Sequence, residues 1–167
     1  MEKTWDELTP AERRVAIATD AMQQAINHDI KLQHEAYFYI YDEDGSSQFL
    51  LEEDARAIGR CGVCARGALL VSRIAKFNSV THDQLNLTTR CLATEHFLDG
   101  AFSLRDLERI ECAYEMNSCY ATDDLHGIDG IRSCVRFGVM HKSSRDRFVA
   151  ICQNIIDNNG DFCPQKA

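Results

Sequence analysis

Cys61 and Cys64 come closest to reactive chemistry by type and spacing. They frame Cys61-Gly-Val-Cys64, at the head of a stretch that keeps helical spacing to Phe77. A thiol at a helix start is favoured as thiolate, because the helix N-terminus carries partial positive charge. Dithiol redox proteins use that arrangement inside a βαβ unit with a buried strand ahead of the pair. Here Ala55-Arg-Ala-Ile-Gly-Arg60 precedes it and does not read as such a strand. The same pair could form half of a zinc site, which needs a second pair of ligands. No other Cys-x-x-Cys exists, and Cys91 with His96, five apart, is the candidate partner pair. The plainer reading makes Cys64, Cys112, Cys134 and Cys152 small buried hydrophobes on helix faces. The expectation is therefore no cofactor, with zinc on Cys61, Cys64, Cys91 and His96 as the alternative.

Arg60, Arg66 and Arg73 form a second constellation. Arg66 and Arg73 stand seven apart, on one side of the helical stretch, and Arg60 lies just ahead of it. Arginines on a mostly buried helix need partners. Acidic side chains could supply them, or the three could line a pocket for a small anionic ligand near the helix start at Gly62. Asp123-Asp124-Leu-His126-Gly-Ile-Asp129-Gly130 gathers possible ligands but lacks the Asp-x-Asp-x-Asp-Gly order of a calcium loop, and reads as a solvated turn. His82-Asp83, Glu95-His96 and His141 could serve as acid–base groups. No nucleophile elbow, phosphate loop or dinucleotide motif accompanies them. The aromatics Tyr37, Tyr39, Tyr41 and Phe49 are the candidate partner-binding surface, since aromatic residues are enriched at interfaces.

These residues must be positioned by helices. From 62 to 77 the chain carries two apolar stripes, Val63, Gly67, Leu70, Ile74 and Phe77 on one and Cys64, Ala68, Val71 and Ala75 on the other. A helix with two stripes must be covered on both sides, so it belongs at the centre. Thr9-Pro10-Ala11-Glu12 opens a helix to about Asn27 with a capping box, its apolar face on Val15, Ala18, Met22, Ala25 and Ile26. Ala36 to Tyr41, a turn, and Gln48 to Leu51 read as a small β-hairpin. A short helix or turn is expected over Glu52–Gly59, a connecting loop over Asn78–Asp83 and a helix over Thr88–Leu98. Ser103 caps a helix with Leu104, Leu107, Ile110, Glu111 and Tyr114 on its face. Gly127 to Val139 reads as a helix interrupted at Gly130 and Gly138. Ser143 or Ser144 opens a last helix on Phe148, Ile151, Cys152, Ile155 and Ile156, ended by Asn158-Asn159-Gly160 with Phe162 folding back.

The chain has 167 residues, 45% of them hydrophobic, with only two prolines, which suits one mainly α-helical domain, a bundle around a central buried helix. A formal net charge of −8 repels nucleic acid and anionic membranes, so neither is expected as a partner. The opening Met1-Glu-Lys-Thr-Trp-Asp-Glu lacks the apolar core of a secretory signal, and no apolar run reaches membrane-spanning length. Eight cysteines without such a signal point to free thiols in the cytoplasm.

Two segments carry a resemblance. Cys-x-x-Cys-Ala-x-Gly-Ala-Leu at Cys61 to Leu69, and Phe148-x₂-Ile151-x₂-Asn154-Ile-Ile-x-Asn158-Asn159-Gly160-x-Phe162-x-Pro164, are similar to small uncharacterised bacterial and phage proteins with a Cys-Ala-x-Gly-Ala entry into a helix. The match covers under a third of the chain, in packing and capping residues. It implies fold and carries no activity. A phage setting would favour a protein that intercepts a host factor or a small nucleotide signal. The expectation is a non-enzymatic binding or inhibitory protein, with a protein partner first, a small anionic ligand second, and self-association open. A zinc or dithiol redox protein centred on Cys61 and Cys64 is the alternative.

Overall fold

The structure, a computed structural model, describes residues 3–33, 38–41, 47–48, 61–77, 98–117 and 123–166. It is mainly α-helical. Helix α1 runs Pro10–Ile26, α2 Ala65–Phe77, α3 Leu104–Glu115, α4 Asp123–Val139 and α5 Ser144–Asp157. Short strands β1 (Lys31–Leu32), β2 (Phe38–Tyr41), β3 (Ser47–Gln48) and β4 (Cys61–Val63) make one sheet in the order β1-β4-β2-β3.

The helix starts follow local chemistry. The Thr9 hydroxyl accepts from the Glu12 N–H at 3.3 Å, and the Glu12 carboxylate accepts from the Thr9 N–H at 2.8 Å, the expected capping box. Ser103 and Asp106 repeat it at α3, and the Ser143 hydroxyl accepts from the Asp146 N–H at 3.0 Å at α5. The chain leaves α5 with Asn159 at φ 54° and Gly160 at φ 99°. Phe162 then folds back into the core, edge-on to Phe137 at 5.4 Å.

Three expectations are corrected. The central helix begins at Ala65, because Cys61–Val63 is a strand with partners on both sides: Gly62 opposite Lys31 in β1 and Tyr39 in β2. Gly62 is a poor helix former and Val63 is β-branched, so pairing on two edges outweighs helical propensity there. Helix α4 runs unbroken through Gly130 and Gly138, and already includes Asp123 and Asp124, where a solvated turn is expected. The buried face of α1 is Ile17, Ala18, Ala21, Gln24 and Ala25, while Ile26 is 48% exposed. α1 packs against both α2 and α5, and the face between those two contacts is the one covered.

β2 and β3 pair antiparallel as the expected hairpin requires, with Ile40 opposite Gln48 and Tyr41 opposite Ser47, while 36–37 and 49–51 of its expected strands lie outside the described residues. Residues Ala65 to Ile74 of α2 are all buried, as two stripes require, while Ala75 is exposed. The expected helix or turn over Glu52–Gly59, the expected loop over 78–83 and all of the expected helix over 88–98 except Leu98 lie outside the described residues.

Helices α1 and α5 run antiparallel. Arg14 near the start of α1 donates to the Gly160 carbonyl at 2.6 Å and pairs with Asp161 at 2.9 Å, beyond the end of α5. At the other end, Arg145 in the first turn of α5 contacts the His28 ring just past α1. Helix α3 packs against α4, α5 and α2, and the buried side chains of all five helices join in one cluster.

Two glycines of α4 separate propensity from packing. A Cβ on Gly138 would lie 1.9 Å from the Ala113 carbonyl oxygen of α3, whereas a Cβ on Gly130 meets nothing within 4 Å. Gly138→Ala should cost at least about 1–3 kcal/mol, because backbone must move apart. Gly130→Ala should add roughly 0.5–1 kcal/mol by restricting the unfolded chain. Urea unfolding of both variants checks the opposite signs.

Candidate functional site

The chain turns from β4 into α2 at Cys64, whose carbonyl accepts the first helical bond, from the Ala68 N–H at 2.9 Å. Its thiol faces the N–H groups of Arg66 and Gly67 and the Glu111 carboxyl that α3 presents. Arg66 Nε stands 3.4 Å from Glu111 Oε2, and the two residues are only 8% and 5% exposed. Cysteine, arginine and glutamate from two helices thus form one buried polar cluster.

Burial dominates the electrostatics of this cluster. It lifts the Glu111 carboxyl to about 7, against the pull of the Arg66 charge. Burial, and then the Glu111 charge, push the Cys64 thiol well above its ordinary range, outweighing the N–H groups at the helix start. The cluster therefore holds a thiol, and thiol nucleophilicity needs thiolate. Burial also raises Cys112 to about 12 and moves Cys134 and Cys152 upward. These four thiols are free and buried, as small hydrophobes would be.

Of the alternative zinc set, Cys91, His96 and the Cys61 side chain lie outside the described residues. Among the described residues no three or more His, Cys, Asp or Glu side chains converge as metal ligands. His82-Asp83 and Glu95-His96 also fall outside, while the His141 ring rests against Phe137 with centroids 5.1 Å apart.

The arginines have different neighbours. Arg60 lies outside the described residues. Arg66 meets Glu111, and Arg73, about 10 Å further along the helix axis, lies over the Trp5 ring at 3.5 Å. Arg13 approaches the same indole at 4.7 Å. Burial, then the Arg13 charge, bring Arg73 down to about 10. Of the aromatic set, Tyr37 and Phe49 lie outside the described residues, and Tyr39 and Tyr41 lie on β2, paired through backbone with Gly62 and Ser47.

Two features were not anticipated from the sequence. Arg147 of α5 is buried and donates to the carbonyls of Tyr114 at 2.8 Å, Gly138 at 3.0 Å and His141 at 3.3 Å. It thereby satisfies carbonyls left open at the ends of α3 and α4. Beside it, a groove of about 550 Å³ runs between α4 and α5, lined by Phe137, Met140 and His141 on one side and Ala150, Gln153, Asn154, Asp157 and Asn158 on the other. Met140 on this lining is 61% exposed, and Val139, next to it in the chain, is 64% exposed. The only sequence signal was this adjacent apolar pair at a helix end.

No family model, curated protein or solved structure matches the chain. Among the described residues no helix is long and apolar enough to cross a membrane.

The Glu111 proton has a signed consequence. A carboxyl raised from 4.5 to about 7 on folding binds its proton more tightly in the folded state. Its stabilising contribution is complete below about pH 4.5 and is lost as pH climbs through 7, by a total on the order of 3 kcal/mol. Glu111→Gln has no such proton. The melting temperature of the native protein minus that of the variant should be greatest near pH 5 and shrink toward pH 8. A gap that widens with pH would show Glu111 to be ionised in the fold.

Proposed function

We propose that the protein is a non-enzymatic binding or inhibitory protein that takes a protein partner in the groove between α4 and α5. The reading rests on Met140, a large exposed apolar side chain on a groove also lined by Phe137 and Ala150, with exposed Val139 next to it in the chain. Covering a side chain of that size is worth about 1.5–3 kcal/mol, and methionine adapts its shape to what it meets. Asp157 is the one carboxylate among the described lining residues, and the chain carries a net charge of −8. An apolar segment with a flanking basic residue is the complementary partner, steered by the opposite charge. The described free thiols Cys64, Cys112, Cys134, Cys152 and Cys163 suit a reducing compartment such as the cytoplasm.

Capture from the native host, followed by calorimetry with the purified partner, tests this reading. Val139→Ser with Met140→Ser should keep the helical circular-dichroism spectrum and weaken binding at least tenfold. Unchanged affinity would remove the groove as the docking face. Loss of self-association in the variant, with no partner effect, would make the face a contact between copies.

A further inference from the structure

We propose that Asn159-Gly160, in the turn that ends α5, is a spontaneous deamidation site held in check by the contacts of Arg14 between α1 and α5. It is the single Asn-Gly pair of the chain. Glycine has no side chain to shield its nitrogen, so an Asn-Gly pair in an open chain closes readily to a succinimide. The Gly160 nitrogen attacks Asn159 Cγ, and an N–Cγ bond forms. The Cγ–Nδ2 bond breaks, and the Gly160 proton leaves with that nitrogen as ammonia. Water then opens the ring. Cleavage of the new N–Cγ bond leaves an aspartyl residue. Cleavage between the same nitrogen and the Asn159 carbonyl carbon leaves an isoaspartyl residue, with the chain routed through the side chain. Water is the one co-reactant.

The fold presents the amide and withholds the nucleophile. Asn159 is exposed and Gly160 is buried. The Gly160 N–H donates to the Ile155 carbonyl at 2.8 Å, and the Asn159 N–H donates to the Ile156 carbonyl at 3.2 Å. Arg14 Nε donates to the Gly160 carbonyl at 2.6 Å. The same guanidinium reaches the Ala101 carbonyl and the Asp161 carboxylate, each at 2.9 Å. Ring closure requires the Gly160 nitrogen to lose its proton and turn toward Cγ, which breaks the bond to Ile155. It also requires the backbone to shift where there is no room: a Cβ on Gly160 would lie 2.8 Å from the Ala11 carbonyl oxygen. The reaction therefore waits for the end of α5 to open, and its rate follows the open fraction.

The products fit the closed turn poorly. Asn159 has φ 54° and Gly160 has φ 99°, the left-handed geometry that asparagine and glycine tolerate at a helix end. An isoaspartyl link inserts an extra backbone carbon between the Ile156 and Ile155 bonds. An aspartyl product places a negative charge at a helix C-terminus, where the dipole opposes it, and close to Asp161 in sequence. Each event thus loosens the contact that had delayed it, and product collects in the molecules that open most often.

The full chain, held in mildly alkaline buffer with and without urea, tests this by peptide mapping. Mass separates amide from acid at position 159, and elution separates the two acids. In urea the reaction should run roughly tenfold or more faster than in native buffer, because every molecule is open. Arg14→Ala, with its helical spectrum intact, should raise the native-buffer rate roughly threefold or more relative to its own rate in urea. Asp161→Ala removes only one exposed partner of Arg14 and should act in the same direction, so it serves if Arg14→Ala fails to fold. Equal rates with and without urea, no product at position 159 in urea, or an unaltered relative rate in the folded variants would each overturn the proposal.

Discussion

A helix buried on every side can carry charge only where neighbours supply a counter-group, and that constraint shapes much of this molecule. α2 takes Arg66 and Arg73 into the interior. Arg66 is met by Glu111, which sets the facing side of α3. Arg73 is met by the Trp5 ring, which draws the segment ahead of α1 across the end of α2. Removing one partner of a buried pair typically costs about 3–5 kcal/mol, because the other charge stays inside. The two arginines therefore constrain position more than they add stability.

Other arginines act on backbone. Arg14 ties α1 to the Ala101 and Gly160 carbonyls, and Arg147 ties α5 to the ends of α3 and α4. Close approach accompanies both. A Cβ on Gly160 would come within 2.8 Å of the Ala11 carbonyl oxygen, and one on Gly138 would meet Ala113. With so much cationic side chain turned to internal tasks, the exposed apolar pair Val139 and Met140 stands out at the surface.

The thiols show how burial overrides a local signal. Cys64 does occupy a helix start, where a thiolate would be favoured. A dry environment and an adjoining carboxyl reverse the effect. The reading of Cys64 as a small buried hydrophobe agrees with its burial, and the thiolate that the Cys-x-x-Cys spacing suggested is opposed by desolvation, which depends on what covers the site.

The caps at Thr9, Ser103 and Ser143, the turn at Gly160 and the all-round burial of α2 were legible from residues alone. Each depends on side chains within about four positions, or on a periodicity that survives any arrangement of neighbours. Strand β4 was not legible, because three residues become a strand only through partners about thirty positions earlier in β1 and about twenty earlier in β2. Continuity of α4 was hidden by two glycines, of which Gly138 permits the approach of α3 while Gly130 has open space around it. The pairing of Arg66 with Glu111, the Arg147 clamp and the α4–α5 groove are likewise products of helix packing. Local hydrogen bonding and hydrophobic period are written along the chain, while charge pairing, close contact and concavity exist only once distant segments meet.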